Sequence, residues 1–594
     1  MARDFETLVE LYERSIRNYA NNPLFGVKKG GRYQWTSYKE FGELVDAFRG
    51  ALANIGVGPG DTVSIIADNR IEWAVSAYAT YSRGASFCPM YEAQLPEDWE
   101  YITRDSGTKV LIVANQEIYE KTRPMLETID TLERVIFFDG EPGHADSYHN
   151  LLEGGRKSPA EVIYPKADDL AGFIYTSGTT GKPKGVLLTH DNLCFNVGGV
   201  LDLDIIRSSD VSLAFLPWAH SFGQNCEMHV MFSLGASMGL VESIPKLIDN
   251  LGEVRPTILF AVPRIFNRIY DALSKKMKQE PPIKQKLFAL AMKNSDALRD
   301  QQEKNETHLG AILMDKGFDK LIFEKVRERF GGRMRLCISG GAALAPEVAR
   351  FIDNMHIDVF EGYGLTETSP LVAVNIPGAR KIGSVGRPIK GVHVTIKDVE
   401  GYPSGTGEIC VRGRNVMQGY HQLPEQTEEV IEQTDDGALF HTGDLGKLDE
   451  DGFLWILGRV KEQYKLENGK YVVPAPIEEQ ISLSPYILQC MIEGTNKPHN
   501  VAVIVIDEES VREWCKENGV PTSDMLTHSA VKELIKKEIE GMSGDIKRYE
   551  QPRDFILTDE EWTPENGFLT PKMSLKRRKV MEVYGDELEA LYKK

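Results

Sequence analysis

Tyr175-Thr-Ser-Gly-Thr-Thr-Gly-Lys-Pro-Lys-Gly185 gathers three glycines, four Ser/Thr hydroxyls and two lysines into eleven residues. Glycines let backbone N–H groups approach an anion closely, the hydroxyls add donors, and Lys182 and Lys184 add positive charge, so the run reads as a phosphate cradle. It is not a Walker loop. That pattern needs Gly-x-x-x-x-Gly-Lys-Ser/Thr, and counting from Gly178 puts Pro183 where the second glycine belongs.

Outward from this loop, the chain alternates between two periodicities. Upstream, an apolar helical pattern over residues 38–55 is followed by short β-branched runs at 62–66 and 110–113; downstream, 211–216, 258–262 and 334–338 have the same strand character. The rhythm predicts an α/β fold with buried strands and ligands at their carboxyl ends, and Asp191-Asn192 is the expected cap of the helix after the loop. Phe5, Leu8, Val9 and Tyr12 recur at helical spacing and predict a helix packed on the body. From 385 to 413, short strands with Gly and Pro turns suggest a small β-rich unit. After Arg459, strand candidates at 489–493 and 501–506 and a helix over 529–541 suggest a compact α+β domain. The expected boundary is Gly458, giving a large N-terminal domain over 1–458 and a smaller C-terminal domain over 459–594. Residues 271–331 form a charged, helix-rich stretch.

At 594 residues the chain exceeds what one hydrophobic core organises. A net charge of −19 argues against nucleic acid as a partner, since phosphate-tracking surfaces carry a basic excess. Seven cysteines, at 88, 194, 226, 337, 410, 490 and 515, form no Cys-x-x-Cys pair and fit reduced thiols in the cytoplasm. The acidic start Met-Ala-Arg-Asp-Phe-Glu excludes a secretory signal, and no apolar run reaches the length of a membrane span. The expectation is a cytoplasmic protein with at most peripheral contact with the inner face of a membrane, through a basic cluster such as Lys576-Arg-Arg-Lys579.

Three further motifs follow the phosphate loop: Gly362-Tyr-Gly-Leu-Thr-Glu-Thr368, His441-Thr-Gly-Asp444 and Gly458-Arg-Val-Lys461. In this order and rough spacing the four resemble the signatures of adenylate-forming enzymes, the superfamily of acyl-CoA synthetases, luciferases and adenylation domains. The 271–331 stretch resembles an insertion of its long-chain fatty-acid–CoA ligase branch. The resemblance implies ATP, Mg²⁺ and CoA as co-substrates and cofactor, and a C-terminal domain that turns about Lys461. ATP would contact Thr176, Ser177, Gly178, Thr179, Thr180, Gly181, Lys182 and Lys184 of the loop, and Gly341 and Ala342 of the run Gly340-Gly-Ala-Ala343. It would also contact Gly362, Tyr363, Gly364, Leu365 and Thr366, with Asp444 and Arg459 on the ribose. Glu367 is the candidate metal ligand, aided by Thr176, because Mg²⁺ requires hard oxygen donors.

His220, in Leu216-Pro-Trp-Ala-His-Ser-Phe-Gly223, matches a position near the acyl carboxylate in relatives, and the apolar segment 228–240 is a candidate lining for a hydrocarbon pocket. The C-terminal catalytic lysine departs from the family pattern. The chain reads Leu569-Thr-Pro-Lys-Met-Ser-Leu-Lys-Arg577, with Ser574 at the position of the branch's lysine, so Lys572 and Lys576 are the candidates and Lys572 is preferred for its place after Pro571. The activity implied is ATP-dependent activation of a medium- to long-chain fatty acid through an acyl adenylate, then transfer to CoA. The alternatives are a ligase loading an acyl-carrier protein, a ligase for aryl acids, and a catalytically silent nucleotide-binding regulator.

Overall fold

The computed structural model describes residues 4–176, 182–303, 309–542, 546–570 and 574–593. The chain divides into two compact units, the first holding most of residues 1–394 with 411–440, the second holding 395–410 and 441–594.

The first unit is built on two sheets. Among the described residues the smaller has seven strands, in the order Gly419–Tyr420, Lys184–Thr189, Leu170–Thr176, Ser86–Met90, Thr62–Ile66, Thr108–Val113 and Arg134–Phe137. Its last five strands run parallel to one another. Thr62–Ile66 and Ser86–Met90 are buried throughout, as the continuous β-branched run at 62–66 predicts. The larger sheet has nine described strands: Arg387–Pro388, Leu371–Val374, Asp358–Gly364, Leu336–Ser339, Ile258–Ala261, Val211–Ala214, Ser237–Leu240, Pro23–Lys29 and Arg32–Ser37. A run of ring contacts joins the two sheets. Phe25 of one lies 5.5 Å from Trp218, Trp218 lies 5.6 Å from Trp73, and Trp73 lies 5.1 Å from Phe87 of the other.

The helix Leu8–Tyr19 packs on this body as its spacing predicts, opened by a Thr7/Glu10 capping box. The helix His190–Leu201 corrects one expectation: its cap is Thr189, whose hydroxyl accepts from the Asn192 amide, and Asn192 is the third helical residue of that box. The segment 228–240 is corrected too. Met228, Val230, Met231 and Phe232 are fully buried, with the Phe232 ring 4.9 Å from Tyr78 and 5.1 Å from Tyr38, so this stretch is core. The 271–331 stretch is helical, comprising the end of Pro263–Gln279, then Pro282–Glu303, Leu309–Phe318 and Glu324–Arg329.

In the second unit a three-stranded sheet, Ile487–Glu493, Asn500–Ile506 and Pro552–Thr558, is covered on both faces. Alternation along the central strand decides which face each residue joins. Ala502, Ile504 and Ile506 pack with Ile477, Ile481, Ile535 and Ile539 of two helices, while Val501, Val503 and Val505 pack with Val580, Tyr584 and Leu588 of the helix Arg577–Leu591. All seven cysteines are buried, and none is in a disulfide. Among the described residues no helix is long and apolar enough to cross a membrane.

Candidate active site

The phosphate loop hangs from a hairpin. Leu170–Thr176 and Lys184–Thr189 are antiparallel, with Tyr175 opposite Gly185 and Thr176 opposite Lys184, so Thr176 and Lys184 face each other at the loop's base. Ser177, Gly178, Thr179, Thr180 and Gly181 lie outside the described residues. Tyr175 donates its hydroxyl proton to Asp105 Oδ2 at 2.6 Å, which ties the hairpin to a neighbouring helix. Both loop lysines rest over aromatic rings, Lys182 Nζ 4.9 Å from the centre of Tyr101 and Lys184 Nζ 4.8 Å from that of Tyr420.

Tyr420 is a residue the sequence reading missed. It pairs with Val186 at the edge of the same sheet, and its hydroxyl donates to Glu367 Oε1 at 3.0 Å. Phosphate-loop lysine, tyrosine and candidate metal ligand are thus joined in one contact series. The Glu367 backbone is fixed as well, since its carbonyl accepts from the Met417 amide at 2.9 Å. Just before it, the chain doubles back so tightly that a Cβ on Gly364 would stand 2.1 Å from the Pro370 carbonyl oxygen, which only glycine avoids. Thr366 is buried, with Oγ1 3.4 Å from Ser221 Oγ, so the motif around Glu367 touches the segment that carries His220.

That segment is itself pinned. Asn69 accepts from the Trp218 amide and donates to the Leu216 carbonyl, both at 2.8 Å. His220 Nδ1 accepts the Phe222 amide proton at 3.1 Å, so the neutral ring carries its proton on Nε2.

His220 lines a cleft. Gly340, Gly341, Gly362, Tyr363 and Gly364 line it, and Val200, Leu203, Ile205 and Ile206 supply aliphatic surface. The glycine wall is braced by Glu361, another residue that sequence reasoning passed over. Its carboxylate accepts from the amides of Leu344 and Gly383, each at 3.4 Å, and burial pushes its acid up to about 7. Ala342 lies exposed in the same turn, next to Gly341, whose φ of +86° suits glycine.

In the second unit, Asp444 lies directly opposite Arg459 in an antiparallel strand pair. Arg459 Nε approaches Asp444 Oδ1 at 2.8 Å, and a second guanidinium nitrogen donates to the Thr442 carbonyl at 3.2 Å. The turn before Asp444 is held from behind. Glu408 accepts the Gly443 amide at 3.1 Å and sits 3.0 Å from His441 Nδ1, while Thr442 Oγ1 donates to the Ile409 carbonyl and accepts the Asp444 amide. Nothing in the local sequence at Glu408 signals this role. Lys461 is exposed in the turn that follows Arg459.

Lys572 lies outside the described residues. Lys576 is exposed at the start of the helix Arg577–Leu591, and the segment between is closed at its base by a Leu569–Leu575 bridge and by the Lys576 amide donating to the Phe568 carbonyl at 2.8 Å. Two of the four residues of the expected basic cluster are in ion pairs. Arg577 binds Glu478, and Arg578 Nε pairs with Glu582 at 3.1 Å.

The family model of the AMP-binding enzymes matches residues 12–421, well over half of the chain, and that of their C-terminal domain matches residues 461–594. The chain is an AMP-binding enzyme. Among curated relatives of this AMP-binding enzyme, long-chain-fatty-acid–CoA ligase 5 of Rattus norvegicus is 31% identical, covering 99% of the chain and 89% of the relative. Long-chain-fatty-acid–CoA ligase FadD15 of Mycobacterium tuberculosis is 32% identical over 91% and 90%. Two solved structures agree in fold. The adenylation domain of a carboxylate reductase from Mycobacterium chelonae has TM-score 0.79 at 23% identity, covering 99% of this chain and 91% of that one. ATP-bound MatB from Rhodopseudomonas palustris has TM-score 0.71 at 24% identity, covering 98% and 99%.

Proposed function

We propose that this AMP-binding enzyme activates a medium- to long-chain fatty acid with ATP and passes the acyl group to CoA. The observation that carries the reading is a cleft in which the glycine wall at Gly341 and Tyr363, His220 and the aliphatic side chains of Leu203, Ile205 and Ile206 share one lining. The glycines suit a nucleotide and the aliphatic side chains a hydrocarbon chain, and each buried methylene contributes about 0.8 kcal/mol. The long-chain-fatty-acid–CoA ligases among its relatives support the same substrate class.

In the first half-reaction a carboxylate oxygen attacks the α-phosphorus of ATP, and the bond to the bridging oxygen breaks to release pyrophosphate. Two anions must meet, so positive charge and N–H donors are needed on both. Lys182, Lys184 and the amides of Ser177–Gly181 hold the β- and γ-phosphates, and Thr366 contacts phosphate. His220, protonated at Nε2, donates to the attacking carboxylate. Tyr363 stacks on adenine beside Gly341, Ala342, Gly362, Gly364 and Leu365, and Asp444 and Arg459 hold the ribose. Glu367, partly buried with one oxygen bonded to Tyr420, and Thr176 at the loop base fit Mg²⁺, a hard cation that takes oxygen ligands. When bound, Mg²⁺ supplies charge neutralisation along the phosphates. Lys572 offsets the charge growing between carboxylate and α-phosphate.

In the second half-reaction the CoA thiolate attacks the adenylate carbonyl and expels AMP. We assign residues 1–458 to the domain that holds ATP and acyl substrate and 459–594 to one that turns at Lys461 between the steps, in a reducing compartment that suits seven cysteines without a disulfide.

Pyrophosphate release measured with ATP and acids from four to eighteen carbons, and with benzoate, tests this reading. Release is expected to rise with chain length into the medium or long range. A benzoate preference overturns the fatty-acid assignment, and no release with any acid overturns the enzymatic one. Acyl transfer to an acyl-carrier protein in place of CoA would correct the acceptor.

A further inference from the structure

The helix Pro282–Glu303 in the first unit carries a buried row and, beside it, an exposed apolar row. Ala291, Ser295 and Leu298, spaced i, i+4, i+7, are buried against the body. Ile283, Leu287 and Leu290 repeat the same spacing and stay 82%, 38% and 50% exposed. At 100° per residue these three fall within about 60° of one another, and their row is turned about 80° from the buried one. The next helix, Leu309–Phe318, lies alongside, with Asn294 Nδ2 donating to the Ala311 carbonyl at 3.2 Å, and it adds exposed Leu313 and Met314. A row of exposed apolar side chains on one helix face marks a contact surface.

Charge specifies the partner. Between residues 275 and 293 the sequence holds six lysines and one glutamate, a local net charge of +5 in a chain of net −19. Lys284 flanks the exposed row on one side, where it also meets Glu280 at 2.8 Å, and exposed Lys286 and Lys293 flank it on the other. Lys276 and Lys278 crowd the last turn of the preceding helix, Pro263–Gln279. An apolar row bordered by lysines is the design of a helix lying in a bilayer interface, with aliphatic side chains among the acyl chains and ammonium groups at anionic headgroups. The remainder of the chain is acidic on balance and is repelled by the same surface, which favours contact through this face.

We propose that the first part of Pro282–Glu303, with Ile283, Leu287 and Leu290 inward, docks the protein on an anionic lipid surface. The Lys576–Lys579 stretch, whose arginines are engaged with Glu478 and Glu582, contributes little.

Co-sedimentation of the full chain with phosphatidylcholine vesicles containing about 30% phosphatidylglycerol tests this, with pure phosphatidylcholine vesicles as the comparison. Binding to the anionic vesicles is expected and should weaken sharply at high salt. Lys284→Glu/Lys286→Glu/Lys293→Glu should lower the partition coefficient at least about 30-fold. Ile283→Glu/Leu287→Glu should abolish binding, while Arg578→Ala/Lys579→Ala changes it less than about three-fold. All these residues are at least partly exposed, so melting curves and vesicle-free pyrophosphate release should stay as in the wild type. Absence of wild-type binding, or wild-type binding by the lysine or apolar variants, overturns the proposal. Light scattering covers the competing occupant: a wild-type dimer that Leu287→Glu converts to monomer would mean that a second copy covers this face.

Discussion

At the scale of single residues, Glu367 has a geometry that can be separated from its charge. Glu367→Gln removes the charge and should reduce acid-dependent pyrophosphate release at least about 100-fold with the melting temperature unchanged. Tyr420→Phe keeps the carboxylate and removes only the hydroxyl that orients it, so the loss should be smaller, about 10- to 100-fold, and partly recovered at high Mg²⁺. Equal activity of wild type and Glu367→Gln would take Glu367 out of the site. Glu227 carries a prediction about pH. It is fully buried, accepts from Ser212 Oγ at 2.8 Å, and burial raises its acid from 4.5 to about 8. Between those values the native state holds a proton that the unfolded chain has lost, so this group's stabilising contribution is present below about pH 4.5 and lost as pH rises through 8. Glu227→Gln, which mimics the protonated acid, should therefore lose less stability than the wild type when urea unfolding is compared at pH 6 and pH 8.5. Parallel losses in the two proteins would show that Glu227 is ionised in the fold.

At the scale of elements, the Arg577–Glu478 pair fastens the start of the last helix, Arg577–Leu591, to the helix Pro474–Ile481. Glu478 also accepts the Ile492 amide at 2.6 Å, and Arg577 lies 3.8 Å from Glu462 in the turn after Lys461. Burial raises the Glu478 acid against the pull of Arg577, so the carboxylate depends on its partner. Arg577→Met should destabilise by about 3 kcal/mol, and Arg577→Met/Glu478→Met should recover most of it, because an unpaired buried charge costs more than an apolar pair. Additive losses in chemical denaturation would contradict that coupling. Lys572→Ala should abolish adenylation from ATP yet keep conversion of supplied acyl-adenylate to acyl-CoA; the same split in Lys576→Ala instead would move the role to Lys576. Elements of this kind were legible wherever composition alone dictates them. The 62–66 strand is a run of five buried residues, and Gly364 sits where a Cβ would strike backbone. What escaped was set by partners far along the chain. Tyr420 and Glu367 meet across 53 residues through strand register, and Glu361 braces Leu344 across 17. Leu203, Ile205 and Ile206, which no motif marks, line the cleft, whereas 228–232, expected as a lining, are core, because apolar composition does not say which side of a sheet layer a segment occupies.

At the scale of the whole molecule, the proposed division of labour makes Lys461 a test of motion. Proline there fixes φ and removes a backbone donor in an exposed turn, so Lys461→Pro should leave pyrophosphate release within about three-fold of wild type while slowing acyl-CoA formation at least about ten-fold. Equal loss of both steps would argue against a hinge at that residue. The order of strands in the nine-stranded sheet bears on a different stage of the protein's life. Pro23–Lys29 is among the first strands synthesised, yet its parallel neighbour is Ser237–Leu240, and the Leu8 amide meets His190 Nδ1 at 3.3 Å. At about 5–20 residues per second, roughly 10–40 s of translation separate the two strands. Leu24 and Phe25, which end fully buried, have in that interval the hairpin with Arg32–Ser37 and the Phe41 ring 5.4 Å from Phe25, but not the strand that completes the sheet. The nascent chain thus carries an unfinished sheet edge through a third of its synthesis, the period in which a holding chaperone would have most to grip.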